Sequence, residues 1–387
     1  MTIRVNKKSS VLDELGVRPL VNACGIYTDL GGSVLSPTVW AAMEESNRQF
    51  VSMVELLDNS GRAIAELLGA EAARVVPGAS AAITLGTAAC MAGMNGSNWE
   101  RLPDATGMKS EVLIQRHHRY KYDRCARIAG AKLVEVGDNE GTTSDQLANA
   151  INPQTAVILF PAHLDATPGT VPLREVIAVA RGSAVPTLVD AAYLNYPTKL
   201  MGSFSAAGAD LTCFSAKYFW GPNSGGFICG RQDFIEAIRG IDFTRFESGQ
   251  YRTFGRPFKL DRQIVVGVVA ALREWLSMDH QARWADYAHN AQTVVRELSG
   301  IPGVIAKPMC FTMEERLVSE PVNCVVLNFE PECGKCAQKV CDALGEASPR
   351  IATVVVDNQL IVAMDALLDG QIRIIVNGLK AVLKGPR

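Results

Sequence analysis

Three short stretches of this 387-residue chain carry side chains that could do chemistry together. In "PTLVDAAY", Asp190 closes an apolar run, where an unpaired carboxylate is costly and calls for a cationic or hydrogen-bonding partner. In "FSAKYFWGPNSGG", Lys217 stands 27 positions later, at the end of the apolar run "LTCFSA" and ahead of a glycine-rich turn. A lysine held in a pocket loses its proton near neutral pH and attacks carbonyl carbons. In "VVPGASAAITLGTAA", the turn Pro77-Gly78-Ala79-Ser80 opens a helix of small residues. Free amides and the helix dipole at such an N-terminus suit a phosphate. Each stretch also has a plain reading: a strand-end cap, a lysine snorkelling at a loop, an ordinary strand–turn–helix joint.

The elements that must position these residues follow from apolar patterning. "ARVVPG", "EVLIQ", "AKLVEVG", "TAVILFPA" and "PTLVDAA" read as strands, and helical patterns such as "KYDRCARIAG", "TSDQLANAI" and "LREVIAVARGS" fall between them. "DLTCFSA" and "GGFICG" are two further strands with no room for a helix between them. β-branched strands alternating with helices predict a largely parallel sheet covered on both faces. Upstream, Ser36 and Pro37 mark a helix start, and "VELLDNSGRAIAELLGA" continues helical with an interruption expected near Asn59-Ser60-Gly61. From residue 261 a long helix leads into a mixed region, with helices over 282–299, 334–345 and 368–384 and strands near 303–306, 321–329, 350–356 and 359–365. The expected division is an N-terminal segment (1–50) joining the small domain, a large domain (51–260) and a small α+β domain (261–387).

Bulk composition narrows the function classes. The chain is 48% hydrophobic and 20% charged with net charge −2, an ordinary globular balance that gives no footprint for nucleic acid or an anionic membrane. "MTIRVNKKSSVLDELG" has no apolar signal region, and no run approaches a bilayer span, so the expectation is a soluble, cytoplasmic protein. Most of the ten cysteines sit among apolar residues. Cys333, Cys336 and Cys341 in "ECGKCAQKVC" lack the second CxxC or histidine that completes a four-ligand site, so no metal is expected.

In open α/β sheets ligands bind outside the carboxyl ends of the strands, and all three chemical stretches fall at such ends. A phosphate cradle, a strand-end aspartate and a later strand-end lysine match what pyridoxal 5′-phosphate (PLP) needs. The lysine forms a Schiff base, the aspartate keeps the pyridine nitrogen protonated, and the helix N-terminus anchors the phosphate.

Several stretches narrow this further. "VNACGIYTDLGGSVLSPTVWAAMEES", "ELLGAEAARVVPGASAAITLGTAACMAG", "RIAGAKLVEVG", "SAKYFWGPNSGGFICGR" and "FGRPFKLDRQIVVGVVAAL" together resemble the SelA-like family. These are fold-type I (aspartate aminotransferase-like) PLP enzymes, including L-seryl-tRNA(Sec) selenium transferase and D-glucosaminate-6-phosphate ammonia-lyase. The resemblance implies an α/β large domain with a smaller α+β C-terminal domain. It makes Lys217 the cofactor lysine, Asp190 the pyridinium partner and Gly78, Ala79 and Ser80 the phosphate loop, with Ser215 also among the cofactor-binding residues. In "IQRHHRYKYD" it implies an imidazole, His118 ahead of His117, stacked on the pyridine. Arg256 and Lys259 in "FGRPFK" would meet a substrate anion, and that segment would reach a neighbouring subunit's site, which implies a homodimer or larger. Arg350 in "SPRIATV" is the candidate for the substrate carboxylate, a bidentate role that suits arginine, or else a surface arginine at a strand start.

With no basic excess and no further domain ahead of "VNACG", a small-molecule substrate is expected rather than a tRNA. The implied reaction is β-elimination from a small β-hydroxy amino acid or 2-amino sugar acid, giving a 2-keto acid and ammonia. Aldolase, racemase and β-replacement chemistry, including selenium transfer on seryl-tRNA, would use the same residues. A non-catalytic PLP-fold binding protein is the alternative from another class.

Overall fold

Strands that are apolar on both faces need cover on both faces, and the arrangement of the larger part of the chain follows from that. The structure is a computed structural model and describes residues 10–384. The described residues fall into two units: Gly32–Met278, and the residues before Gly32 together with those after Met278. The first strand in the chain, β1 (Leu20–Asn22), belongs to the second of these.

The larger unit is built on seven strands: β2 (Ala72–Val76), β3 (Glu111–Gln115), β4 (Lys132–Val136), β5 (Thr155–Pro161), β6 (Thr187–Asp190), β7 (Leu211–Ser215) and β8 (Gly226–Gly230). Their order is β2-β8-β7-β6-β5-β3-β4. The run from β7 to β4 is parallel, and β8 lies antiparallel to both its neighbours. Because β8 opposes both β2 and β7, those two point the same way, and six carboxyl ends (β2, β3, β4, β5, β6, β7) share one edge of the sheet. The helix Gly78–Ala92 is apolar on every side and buried throughout nearly all its length. The helix Arg262–Ser277 packs on Pro37–Asn47 and is tied there by Arg262 Nε donating to the Ser46 carbonyl at 2.9 Å and by Ser36 Oγ donating to Glu274. These contacts place 32–50 and 261–278 in the larger unit, so the observed divisions fall at Gly31/Gly32 and Met278/Asp279, whereas those expected from sequence fall at 50 and 260.

One local expectation is corrected. Met53–Leu68 is a continuous helix with no break at Asn59-Ser60-Gly61. Gly61 is there because a Cβ would lie 2.0 Å from the Ala73 carbonyl oxygen of β2, so glycine allows the helix to approach the strand backbone. The pattern "KYDRCARIAG" yields only a short helix, Cys125–Ile128, after a turn. The helices Lys199–Ala207 and Gln232–Ile241 are additions to the elements expected from sequence.

The smaller unit contains an antiparallel sheet of β9 (Val304–Phe311), β10 (Leu317–Val318), β11 (Cys324–Phe329), β13 (Val354–Val356) and β14 (Gln359–Ala363), ordered β10-β9-β11-β14-β13. A separate strand, β12 (Arg350–Ala352), pairs in parallel with β1. The expected strand over 350–356 is therefore two strands with different partners. Helices His280–Leu298, Ala337–Glu346 and Gln371–Lys384 complete the unit. Among the described residues no helix is long and apolar enough to cross a membrane, and no cluster of metal-ligand side chains occurs.

The Gly61 contact gives a test of the larger unit's packing. Gly61→Ala forces a methyl against backbone that cannot move aside, and we expect a loss of about 1–3 kcal/mol. A lowered unfolding midpoint in denaturant is the readout; an unchanged midpoint would show that the helix shifts freely on β2.

Candidate active site

Asp190, Lys217 and the Gly78 turn come from three strands, and the sheet topology brings them to one edge. Asp190 is the last residue of β6 and is 4% exposed. Its Oδ2 accepts from the Tyr120 hydroxyl at 2.5 Å and its Oδ1 from the Ala192 amide at 3.1 Å, with the Cys213 thiol 3.7 Å from Oδ1. Burial pushes Asp190 above the ordinary carboxylate range, while those donors and nearby His163 pull it back. The carboxyl group therefore favours a proton or a cationic partner. The same burial and the charge of Asp190 hold the Tyr120 hydroxyl in its protonated form.

Lys217 is 7% exposed and lies in the 3₁₀ turn Ala216–Phe219 that directly follows Ser215 and β7. Its Nζ stands 4.7 Å from the centre of the Tyr218 ring. Asn195 Nδ2 fastens the turn by donating to the Tyr218 carbonyl, and Asn195 is itself held through its carbonyl by Trp275 Nε1 at 2.9 Å. The following Gly-Pro-Asn-Ser-Gly-Gly segment doubles the chain back, with the Ala216 amide donating to the Gly225 carbonyl at 2.9 Å. Gly226 has no space for a side chain: a Cβ would lie 2.5 Å from the Phe214 carbonyl oxygen and 2.8 Å from the Gly78 Cα. This close approach seats the Gly78 turn beside the end of β7.

Gly78 itself has φ of +79° and starts a 15-residue helix that has no side-chain cap. Its first amides are thus left for a ligand, with Ala79 buried and Ser80 exposed beside them. A buried acid, a buried lysine and an uncapped helix start are the donor set a phosphorylated pyridine aldehyde requires, so the residues present fit PLP.

The histidines divide differently from the sequence expectation. His118 has no exposed surface, and both ring nitrogens are engaged. Nε2 donates to the Leu164 carbonyl at 3.1 Å, and Nδ1 accepts from Gln115 Nε2 at 3.3 Å. Gln115 is pinned in turn by donating to the Val171 carbonyl and accepting from its amide, at 2.8 and 2.7 Å. The His118 ring meets Phe160 edge-on at 4.9 Å. Burial depresses its pKa from 6.5 to about 4, so the imidazole is neutral. His117 is half-buried, with Nδ1 3.5 Å from the Pro168 carbonyl. The imidazole beside Asp190 is His163, in the turn Ala162–Leu164 that follows β5. His163 lies 5.4 Å from both the Tyr120 and Tyr193 rings, and Tyr193 lies 5.7 Å from Tyr218. Four rings thus link Asp190 to Lys217. Sequence reasoning missed Tyr120, His163 and Tyr193, although His163 follows a strand end and Tyr193 stands three residues after Asp190.

The anion candidates lie elsewhere in the chain. Arg256 opens the 3₁₀ turn Arg256–Phe258 and is ion-paired with Glu247; Lys259 closes that turn. Arg350 belongs to the smaller unit, where its Nε donates to the Gly345 carbonyl at 2.9 Å.

His118 makes acid stability testable. Its folded-state pKa lies below the unfolded value, so the unfolded chain binds the proton more tightly. The stability it permits is complete above pH 6.5 and is lost as pH falls towards 4. By pH 5 the loss is about 2 kcal/mol. We expect His118→Asn to flatten the fall in melting temperature between pH 7 and 5; an unchanged slope would assign it to other groups.

Comparison with known proteins bears on the whole arrangement. The family model for L-seryl-tRNA selenium transferase (SelA) matches residues 20–283. The chain is 32% identical over 79% of its length to a 5′-C-glycyluridine monooxygenase-decarboxylase of a Streptomyces species, covering 75% of that protein. It is 31% identical over 77% of its length to the D-glucosaminate-6-phosphate ammonia lyase of Salmonella typhimurium, covering 77% of it. A solved D-glucosaminate-6-phosphate ammonia-lyase superposes with a TM-score of 0.85 at 26% identity, over 97% of this chain and 99% of that one. The chain belongs to the SelA family and has the fold-type I architecture of PLP enzymes.

Proposed function

We propose that this protein is a PLP-dependent lyase that converts a small β-hydroxy amino acid or 2-amino sugar acid into a 2-keto acid and ammonia. The observation that carries the reading is the convergence of buried Lys217, buried Asp190 and the uncapped Gly78 helix start on one sheet edge. The family and its ammonia-lyase relative support it.

PLP, when bound, supplies an aldehyde that takes up amines and a ring that accepts the electron pair left at the substrate Cα. Lys217 would hold the aldehyde, and its amine, when free, would serve as the general base for the substrate α-proton. Asp190 would face the pyridine nitrogen and hold a proton there, and Tyr120 fixes the carboxylate through Oδ2. Gly78, Ala79 and Ser80 would hold the phosphate at the helix start, and Ser215 ends β7, from which Lys217 is presented. His118, neutral and held by Gln115, donates to the Leu164 carbonyl and so steadies the turn that carries His163. Arg256 and Lys259 offer cations to an anionic group of the substrate. Loss of the α-proton and the β-hydroxyl removes one water; hydrolysis of the released enamine restores it and yields the keto acid and ammonia.

The exposed Trp40 and Phe50, 60% and 95% accessible, offer apolar surface to a second copy of the chain, in line with a homo-oligomer.

The decisive experiment is a panel of D- and L-β-hydroxy amino acids and 2-amino sugar acids, with and without phosphate, assayed for keto acid and ammonia. We expect turnover on at least one, a visible absorption band in the PLP-loaded protein, and loss of both in Lys217→Ala. A protein that stays colourless with PLP would overturn the reading. A second reading, oxidative decarboxylation of the amino acid, is supported by the relative named a monooxygenase-decarboxylase. Dioxygen uptake with release of carbon dioxide, in place of ammonia, would move the assignment to it.

A further inference from the structure

The larger unit holds a second cluster of charges, centred on a buried arginine. Arg74, in β2, is 2% exposed. Its Nε donates to Asp242 Oδ2 at 2.9 Å, with Nη2 on the same oxygen, and its Nη1 donates to Asp58 Oδ1 at 2.7 Å. Arg239 Nη2 donates to Asp58 Oδ2, also at 2.7 Å. Arg74 and Asp242 compensate each other where water does not reach, and the chain of charges runs out through partly exposed Asp58 and Arg239.

Asp242 does more than neutralise Arg74. Its Oδ1 accepts from the Thr244 amide at 2.9 Å and hydroxyl at 2.6 Å, which caps the short helix Phe243–Glu247. Its carbonyl accepts from the Thr253 hydroxyl at 3.4 Å, and its backbone bridges to Gly255 in parallel register. Gly255 must be glycine for this closure, because a Cβ would lie 2.2 Å from the Ile241 carbonyl oxygen. Asp242 therefore grips both ends of the loop 243–255. The residue that leaves the loop is Arg256, followed three positions later by Lys259, and Glu247 inside the loop pairs with Arg256. Arg74 stands two residues before the end of β2, the strand that runs into the Gly78 turn.

We propose that Asp242, held by Arg74, is a positioning residue that sets Arg256 and Lys259 for an anionic substrate group, in register with the strand that delivers the Gly78 turn. The proposal rests on the reading of Arg256 and Lys259 as anion-binding residues. Asp242 touches neither substrate nor cofactor; it acts through the loop. Loops carry binding groups well only when their ends are fixed, and a small displacement of a charged group weakens its contacts steeply.

The test uses PLP-loaded protein, in which the cofactor's own phosphate fills the Gly78 turn, with inorganic phosphate as calorimetric probe and trypsin as reporter of the loop. Arg245 and Arg252 are the cleavage points inside it. We expect Asp242→Asn to weaken phosphate binding about tenfold and to speed cleavage within 243–255 by a similar factor. Arg256→Ala combined with Lys259→Ala should abolish phosphate binding without speeding cleavage at Arg245 or Arg252. Thr253→Val, which removes a single hydroxyl, carries the same expectation at smaller size if Asp242→Asn does not fold. Phosphate binding lost in the Arg256–Lys259 variant but intact, with slow cleavage, in the Asp242 and Thr253 variants would overturn the positioning role. Phosphate binding that is absent in the parent protein, or survives the Arg256–Lys259 variant, would overturn the anion reading on which the proposal stands, while the trypsin rates would still report the Asp242 grip.

Discussion

A carboxylate at the end of a fully buried strand is the constraint around which the larger unit is arranged. Asp190 cannot stay there as a bare charge, and the chain surrounds it with a tyrosine hydroxyl, a backbone amide, an imidazole and a thiol. These groups arrive from four different segments: the loop after β3, the turn after β5, the residues just beyond β6, and β7. Each is in place because parallel strands end together. The lysine then needs only the next strand over, and the ring array from Tyr120 to Tyr218 walls the space between acid and amine. Burial makes the acid seek a cationic partner, and the adjoining lysine and helix start supply the other contacts such a partner needs.

Charge is handled in two ways in this unit. At the Lys217 edge an acid at the end of β6 and an amine in the turn after β7 are each buried and walled by polarizable rings. In the Arg74 cluster the charges are paired within hydrogen-bonding distance and spend their donors on loop closure. The first arrangement suits exchange of protons with a ligand. The second suits rigidity, since removing one partner strands the other in a dry interior.

Much of the site was legible in the sequence because its parts announce strand ends: Asp190 after "TLV", Lys217 after "LTCFSA", Gly78 after "RVV". Strand-end chemistry is local, so a reader of the chain can place it. His118 was harder. Its neighbours "RHHRYKYD" look solvent-facing, and only the long-range contacts with Leu164 and Val171 through Gln115 turn the ring inward. Tyr120 reaches Asp190 from 70 positions away, a pairing no spacing rule reports. Gly61 was read as a helix breaker because propensity treats every glycine alike; its cause is a tertiary contact with Ala73. Lys199–Ala207 escaped notice because one glycine and two serines interrupt "KLMGSFSAA", and burial of Met201 and Phe204 rather than propensity makes it helical.

The position of β8 has a consequence in time. This strand is the last of the seven to be synthesised, yet it inserts between the first, β2, and the sixth, β7. Until residue 230 has been added, the Gly78 turn and the Lys217 turn belong to strands with no ladder between them. A nascent chain that stops short of this point has both chemical ends but no means of holding them side by side. Lys217 and the Gly78 turn are therefore brought into register by one late event, and in every earlier state of the growing chain that edge of the sheet is unassembled.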